Sequence, residues 1–150
     1  GYSKKDWGAM LTRAALGKNH LNHTEYLIAE MGIDEPDPPK NMDYLLTILK
    51  PDIAISLNVS ATHSEQFDKT VPENITGEER LKEIIKNIAK EDTKIITKSD
   101  PKIAIYNADD DFVSEEIEKH QKSSAKTKFL TFGEKALRVR QLHCRPQLAR

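Results

Sequence analysis

Short β-branched blocks alternate along this chain with stretches whose apolar residues recur at helical spacing, and that order predicts an α/β protein. The first block, Glu25-Tyr26-Leu27-Ile28-Ala29-Glu30, reads as a strand closed by Met31-Gly32 and the turn-rich run Asp34-Glu35-Pro36-Asp37-Pro38-Pro39. Met42, Leu45, Leu46 and Leu49 predict a short helix over 42–49, which Pro51 ends. Residues 52–58 come next as a second strand. A longer helix is expected over 77–89, with Leu81, Ile84, Ile85 and Ile88 on one face and Glu78, Glu79, Lys82, Glu83 and Lys86 on the other. Residues 93–97 and 102–106 read as two more strands around the turn Ser99-Asp100-Pro101, followed by a polar helix to about 122 and a last strand over 128–132. Near the start, Trp7, Met10, Leu11, Ala14, Ala15 and Leu16 predict a helix, with Ser3 as its cap and Asp6 at the capping-box spacing.

Composition narrows the class. The 150 residues suffice for one domain of ordinary size, and 37% hydrophobic against 31% charged residues allow a modest core. With 23 Lys plus Arg against 24 Asp plus Glu, the net charge of -1 argues against a general nucleic-acid binder. No run approaches the roughly 20 apolar residues of a membrane helix, and Gly1-Tyr2-Ser3-Lys4-Lys5 leads into no signal-peptide core, so no membrane association and a cytoplasmic location are expected. The single cysteine, Cys144, excludes an intramolecular disulfide and a cysteine-based zinc cluster. After Glu134 no acidic residue occurs, while Arg138, Arg140, Arg145 and Arg150 fill the end. That shift marks 137–150 as a tail, either disordered or non-native, or a basic segment for an acidic surface.

Ligands of open α/β sheets collect beyond the carboxyl ends of the strands, which points to the polar residues just past each predicted strand. These are Glu30, Asn58 with His63 in the loop beyond it, and Asn107 with Asp109 and Asp110. A carboxylate and an imidazole at neighbouring strand ends could share a divalent cation that neutralises phosphate oxygens. Each also has a plainer reading: Glu30 as a solvated strand end, His63 as a hydrogen-bonded loop histidine, and residues 107–111 as a turn capping the next helix. No P-loop, GxGxxG or GxSxG sequence occurs.

Four blocks in order resemble the central domain of the Mur ligase family: Glu30-Met31-Gly32-Ile33; Lys50-Pro51-Asp52-Ile53-Ala54; Asn58-Val59-Ser60-Ala61-Thr62-His63-Ser64-Glu65-Gln66-Phe67; and Tyr106-Asn107-Ala108-Asp109-Asp110. The flavour is that of the branch that adds D-alanyl-D-alanine to a UDP-N-acetylmuramoyl peptide. The resemblance implies a mainly parallel sheet flanked by helices, and an ATP- and Mg²⁺-dependent amide-bond ligase in which a substrate carboxylate becomes an acyl phosphate that an amine attacks. It places Glu30 and His63 as magnesium ligands and Asn58 near substrate and phosphates. The family's carbamylated lysine has Lys82 as its nearest counterpart. The family's phosphate-binding loop and C-terminal domain are expected before and after the matched region. The organisation expected is therefore an N-terminal helical segment (1–25), a partial Mur central domain (26–136) and the Arg-rich tail (137–150), as in a truncated or frame-shifted gene product inactive by itself. Without the strand of the phosphate loop, an exposed sheet edge or apolar face and self-association are expected. The alternative is a non-catalytic α/β interaction module; a stand-alone metal-dependent phosphoesterase would need more ligands than the chain offers.

Overall fold

Three blocks of alternating residues build the sheet in a computed structural model that describes residues 25–62 and 64–136, with Ala9, Thr12, Arg13 and Leu16. Strands β1 (Ile53–Ser56), β2 (Ile103–Asn107) and β3 (Lys128–Phe132) pair in parallel in the order β1-β2-β3. Parallel neighbours need long crossovers, and the chain fills them with helices. Helix α1 (Met42–Ile48) precedes β1. Between β1 and β2 come α2 (Ser64–Phe67), a 3-10 turn (Asp68–Thr70), α3 (Gly77–Asp92) and α4 (Lys94–Thr97), and α5 (Asp111–Gln121) joins β2 to β3.

Side-chain alternation decides what each face of the sheet does. Ala54, Ala104 and Phe129 stand in one rank, and Ser56 and Tyr106 in the next. Ala54, Ala104 and Tyr106 meet Ile96 of α4 and Val113 and Ile117 of α5 in a buried cluster, with Phe129 packed against it. Small alanines at the two central positions let these helices approach the strands closely. A second cluster seats Ile84 and Ile88 of α3 on Phe67 and Val71, and a third packs Met42, Leu45 and Leu46 of α1 around Ile95. The opposite ranks, which run Ile55–Ile105–Leu130, are covered by no helix among the described residues. Ile55 is 53% exposed and Leu57 59%, with Ile53, Leu130 and Phe132 also exposed. An all-parallel sheet ordinarily buries both faces, so this is an apolar surface without a partner among the described residues.

Glu91 ties the helices together. Its buried carboxylate accepts from the Met42 N–H at 3.0 Å and from the Lys94 ammonium, which also reaches Asp43. Burial pulls the Lys94 pKa down, but the two carboxylates outweigh it and the net shift is upward. Arg80 fastens the stretch ahead of α3 by a forked contact to Asp68 at 2.6 and 2.9 Å and by donating to the carbonyls of Pro72 and Ile75.

Two predicted strands are corrected. Residues 25–30 form no strand, and Tyr26 is 81% and Ile28 96% exposed, because their backbone pairs with none of the three strands of the described sheet. Residues 93–97 are helical: Thr93, fully buried, bends the chain between α3 and α4, and Ile96 drops into the core beside Val113 and Ile117. Packing on the sheet overrides the β-branched propensity of that run. The predicted N-terminal helix lies mostly outside the described residues; Ala9, Thr12, Arg13 and Leu16 within it are helical and exposed. The tail 137–150 lies outside them altogether. No helix among the described residues is long and apolar enough to cross a membrane.

Candidate functional site at the carboxyl ends of the strands

The three strands end at one rim, and aspartates fasten it. Asp110 caps α5 by accepting from the Val113 N–H at 3.0 Å, as an aspartate at a helix start commonly does. Its other oxygen accepts from the Val59 N–H at 2.8 Å, which clamps the loop after β1 to the start of α5. Asp109 reaches across to the end of β3, where the Glu134 and Lys135 N–H groups donate to its two oxygens, each at 2.8 Å. Gly133 makes this possible: it has φ +112°, and a Cβ there would stand 2.6 Å from the Asp109 carboxylate. Asn107 completes the turn by accepting from the Asp109 N–H at 3.0 Å.

Beneath the rim, the Ser56 hydroxyl at the end of β1 donates to Asp92, the last residue of α3, at 3.2 Å. Burial pushes the Asp92 carboxyl above the ordinary carboxylate range; the Ser56 bond opposes this, and the charges of Asp110 and Glu91 add to it. Asp92 and Ser56 escaped the sequence reading, since they lie 36 residues apart with no spacing signal to join them.

The predicted site residues fare unequally. Asn58 stands exposed on the clamped loop, directly before Val59. Glu30 is exposed and makes no hydrogen bond or ion pair among the described residues, in the segment that fails to join the sheet. Lys82 is exposed on α3, where its charge is felt by Glu115 of α5. His63 lies outside the described residues. Asn107, Asp109 and Asp110, for which a helix-capping turn and a metal role were both open, act as cap and clamp.

Among the described residues no three His, Cys, Asp or Glu side chains converge, and the oxygens of Asp109 and Asp110 already serve backbone N–H groups.

A parallel sheet with polar loops gathered at its carboxyl rim defines an α/β domain. The Mur ligase middle domain matches residues 9–148, nearly the whole chain, and the chain belongs to that family of ATP-dependent ligases of peptidoglycan precursors, whose members use ATP and Mg²⁺. The match extends beyond the described residues at both ends. No curated protein and no solved structure matches the chain.

Proposed function

We propose that this chain contributes the carboxyl-end rim of a cytoplasmic ligase that joins an amino acid or dipeptide to a UDP-N-acetylmuramoyl peptide, in the branch that adds D-alanyl-D-alanine. The family match over residues 9–148 carries this reading. In it, Glu30 and His63 are the metal-holding positions, Asn58 lies beside the substrate phosphates, and Lys82 is the lysine to examine first. Magnesium, when bound, supplies positive charge to phosphate oxygens. The Asp110–Val59 clamp holds the loop that presents Asn58 and leads to His63. The 150 residues contain no glycine-rich phosphate cradle of the P-loop type. Calorimetric titration with Mg²⁺ and with Mg-ATP tests the assignment: heat of binding that falls in Glu30→Ala and in His63→Ala supports it, and absence of heat in the unaltered chain overturns it.

A second reading, a non-catalytic interaction module, is favoured by the exposed apolar face of Ile55, Leu57, Leu130 and Phe132, which no helix among the described residues covers. It predicts self-association that Ile55→Lys abolishes in gel filtration, and a sharp monomer at high concentration would count against it.

A further inference from the structure

Lysine recurs at every fourth position from Lys82 through Lys86, Lys90 and Lys94 to Lys98. Four residues make just over one helical turn, so these side chains form a basic ridge along α3, and the series continues past Thr93 into α4 and its cap. The last three of them, with Thr97 and with Lys119 and His120 of α5, line a cleft of about 350 Å³. That volume lies at the small end of ligand pockets, which run to roughly 300–1,000 Å³. Among the described residues that line the cleft, Glu116 is the one carboxylate. The cleft stands apart from the rim: Asn58, Asp109 and Asp110 do not line it, and Lys119 and His120 belong to the last turn of α5, away from its Asp110 cap.

The lysines are not equally engaged. Lys94 is the most enclosed, with its side chain 18% exposed, and donates to Asp43 at 2.7 Å and to Glu91. An ammonium carries three donors, so those two carboxylates hold Lys94 in place and leave one donor over. Lys98 donates to Asp43 at 2.5 Å, and Lys119 reaches Glu115 and Glu116 at 3.0 and 2.9 Å. Both lysines are exposed, and exposed pairs of this kind contribute little, so either ammonium can turn to a more highly charged anion at small cost. Lys90 is exposed and makes no hydrogen bond or ion pair among the described residues, and the Thr97 hydroxyl has no partner among them either. Phosphate groups suit such a set, because each offers several charged acceptor oxygens and lysine binds them as a point charge without a fixed fork geometry.

We propose that the cleft between α4 and α5 binds a small oligophosphate of the pyrophosphate class, free or carried on an organic group, with Lys90 and Lys119 on its two sides and Lys94 beneath. The inference does not rest on the ligase assignment, and either can fail without the other.

The test is a titration of pyrophosphate into the isotope-enriched full chain, in metal-free buffer at about 0.1 M ionic strength, where exposed charges more than about 10 Å apart are largely screened. Leaving out magnesium keeps metal-dependent nucleotide binding at the rim out of the readout. Saturable shifts are expected at the amides of Thr93, Thr97, Lys98, Glu116 and His120, with Val59 and Glu134 at the rim unmoved. Lys90→Glu should weaken binding about tenfold or more, as loss of a charge-assisted contact does, and Lys119→Gln should weaken it as well. Lys86→Glu makes the same charge change one turn along the ridge, outside the cleft, and should alter the affinity by less than about threefold. Lys90 is exposed and unpaired, so its reversal leaves the core intact, which unchanged Ile84 and Ile88 signals verify. Adenosine diphosphate separates the sources: equal affinity at the same amides assigns the site to the diphosphate alone, and tighter binding there assigns it to a nucleoside diphosphate, both in support. Absence of shifts at the cleft would overturn the proposal. So would binding untouched by Lys90→Glu or by Lys119→Gln, or weakened as much by Lys86→Glu as by Lys90→Glu, which would assign it to the general charge of the ridge.

Discussion

Asp110 is the residue whose replacement most directly probes how the rim is held. Its carboxylate serves two backbone donors on different elements, the Val113 N–H within its own helix and the Val59 N–H in the loop after β1. Asparagine caps helices as well as aspartate does, but it has one acceptor oxygen where the two donors need two. Asp110→Asn therefore keeps one bond and sacrifices the other, a charge-assisted bond contributing about 1.5–3 kcal/mol. Asp110→Ala forfeits both and adds the cost of an uncapped helix, roughly 0.5–2 kcal/mol. A smaller gain opposes these losses, because removing the Asp110 charge relieves Asp92. Urea unfolding at neutral pH should order the proteins wild type, Asn, Ala, and each kcal/mol should move Tm by about 2–4 °C for a chain of this length. Hydrogen exchange at Val59 should accelerate in the Asn variant if that variant releases the loop. Coincident unfolding curves for wild type and Asp110→Asn, together with unchanged exchange at Val59, would refute the claim that the carboxylate holds loop and helix together.

Two further outcomes are expected, one from a buried charge and one from the core. Asp92 has its folded-state pKa raised, so the stability that its protonated form contributes is present below the ordinary carboxylate range and is lost as pH rises through the raised value. Asp92→Asn should therefore stabilise the protein at pH 7 and flatten the loss of stability with rising pH, read from urea midpoints across a pH series; a variant less stable than wild type at pH 7 would contradict this. Ile117, fully buried against the sheet beside Ile96 and Val113, should cost about 2–5 kcal/mol as Ile117→Ala, a large part of the roughly 5–15 kcal/mol typical of a domain. Unfolding within about 1 kcal/mol of wild type would show that α5 does not anchor on this side chain.

Elements with unambiguous periodicity were legible in the sequence. The 128–132 strand and the helices around Met42 and Ile84 emerge within a few residues of their predicted bounds. Legibility failed where a segment's fate depends on its neighbours. Tyr26-Leu27-Ile28 carries strand chemistry, yet a strand exists only where an edge accepts its N–H and C=O groups. Ile95-Ile96-Thr97 carries it too, but Ile96 finds its place in a helix against Val113. At the site, Asp110 could be read as a cap from its position before α5, whereas its bond to Val59 spans 51 residues and leaves no local trace. The Ser56–Asp92 contact and the Glu91 bond to Met42 are hidden for the same reason.

The two aspartates at the rim are fasteners, and this changes how damage to them should be interpreted. Alanine scanning of every acid near the strand ends would flag Asp109 and Asp110 as strongly as any group that touches a reactant, because releasing either one lets a neighbouring loop drift. Lost turnover in such variants would speak of a loosened frame. Only measurements that hold the frame constant, such as turnover compared among variants of equal melting temperature, separate a missing reagent from a missing rivet.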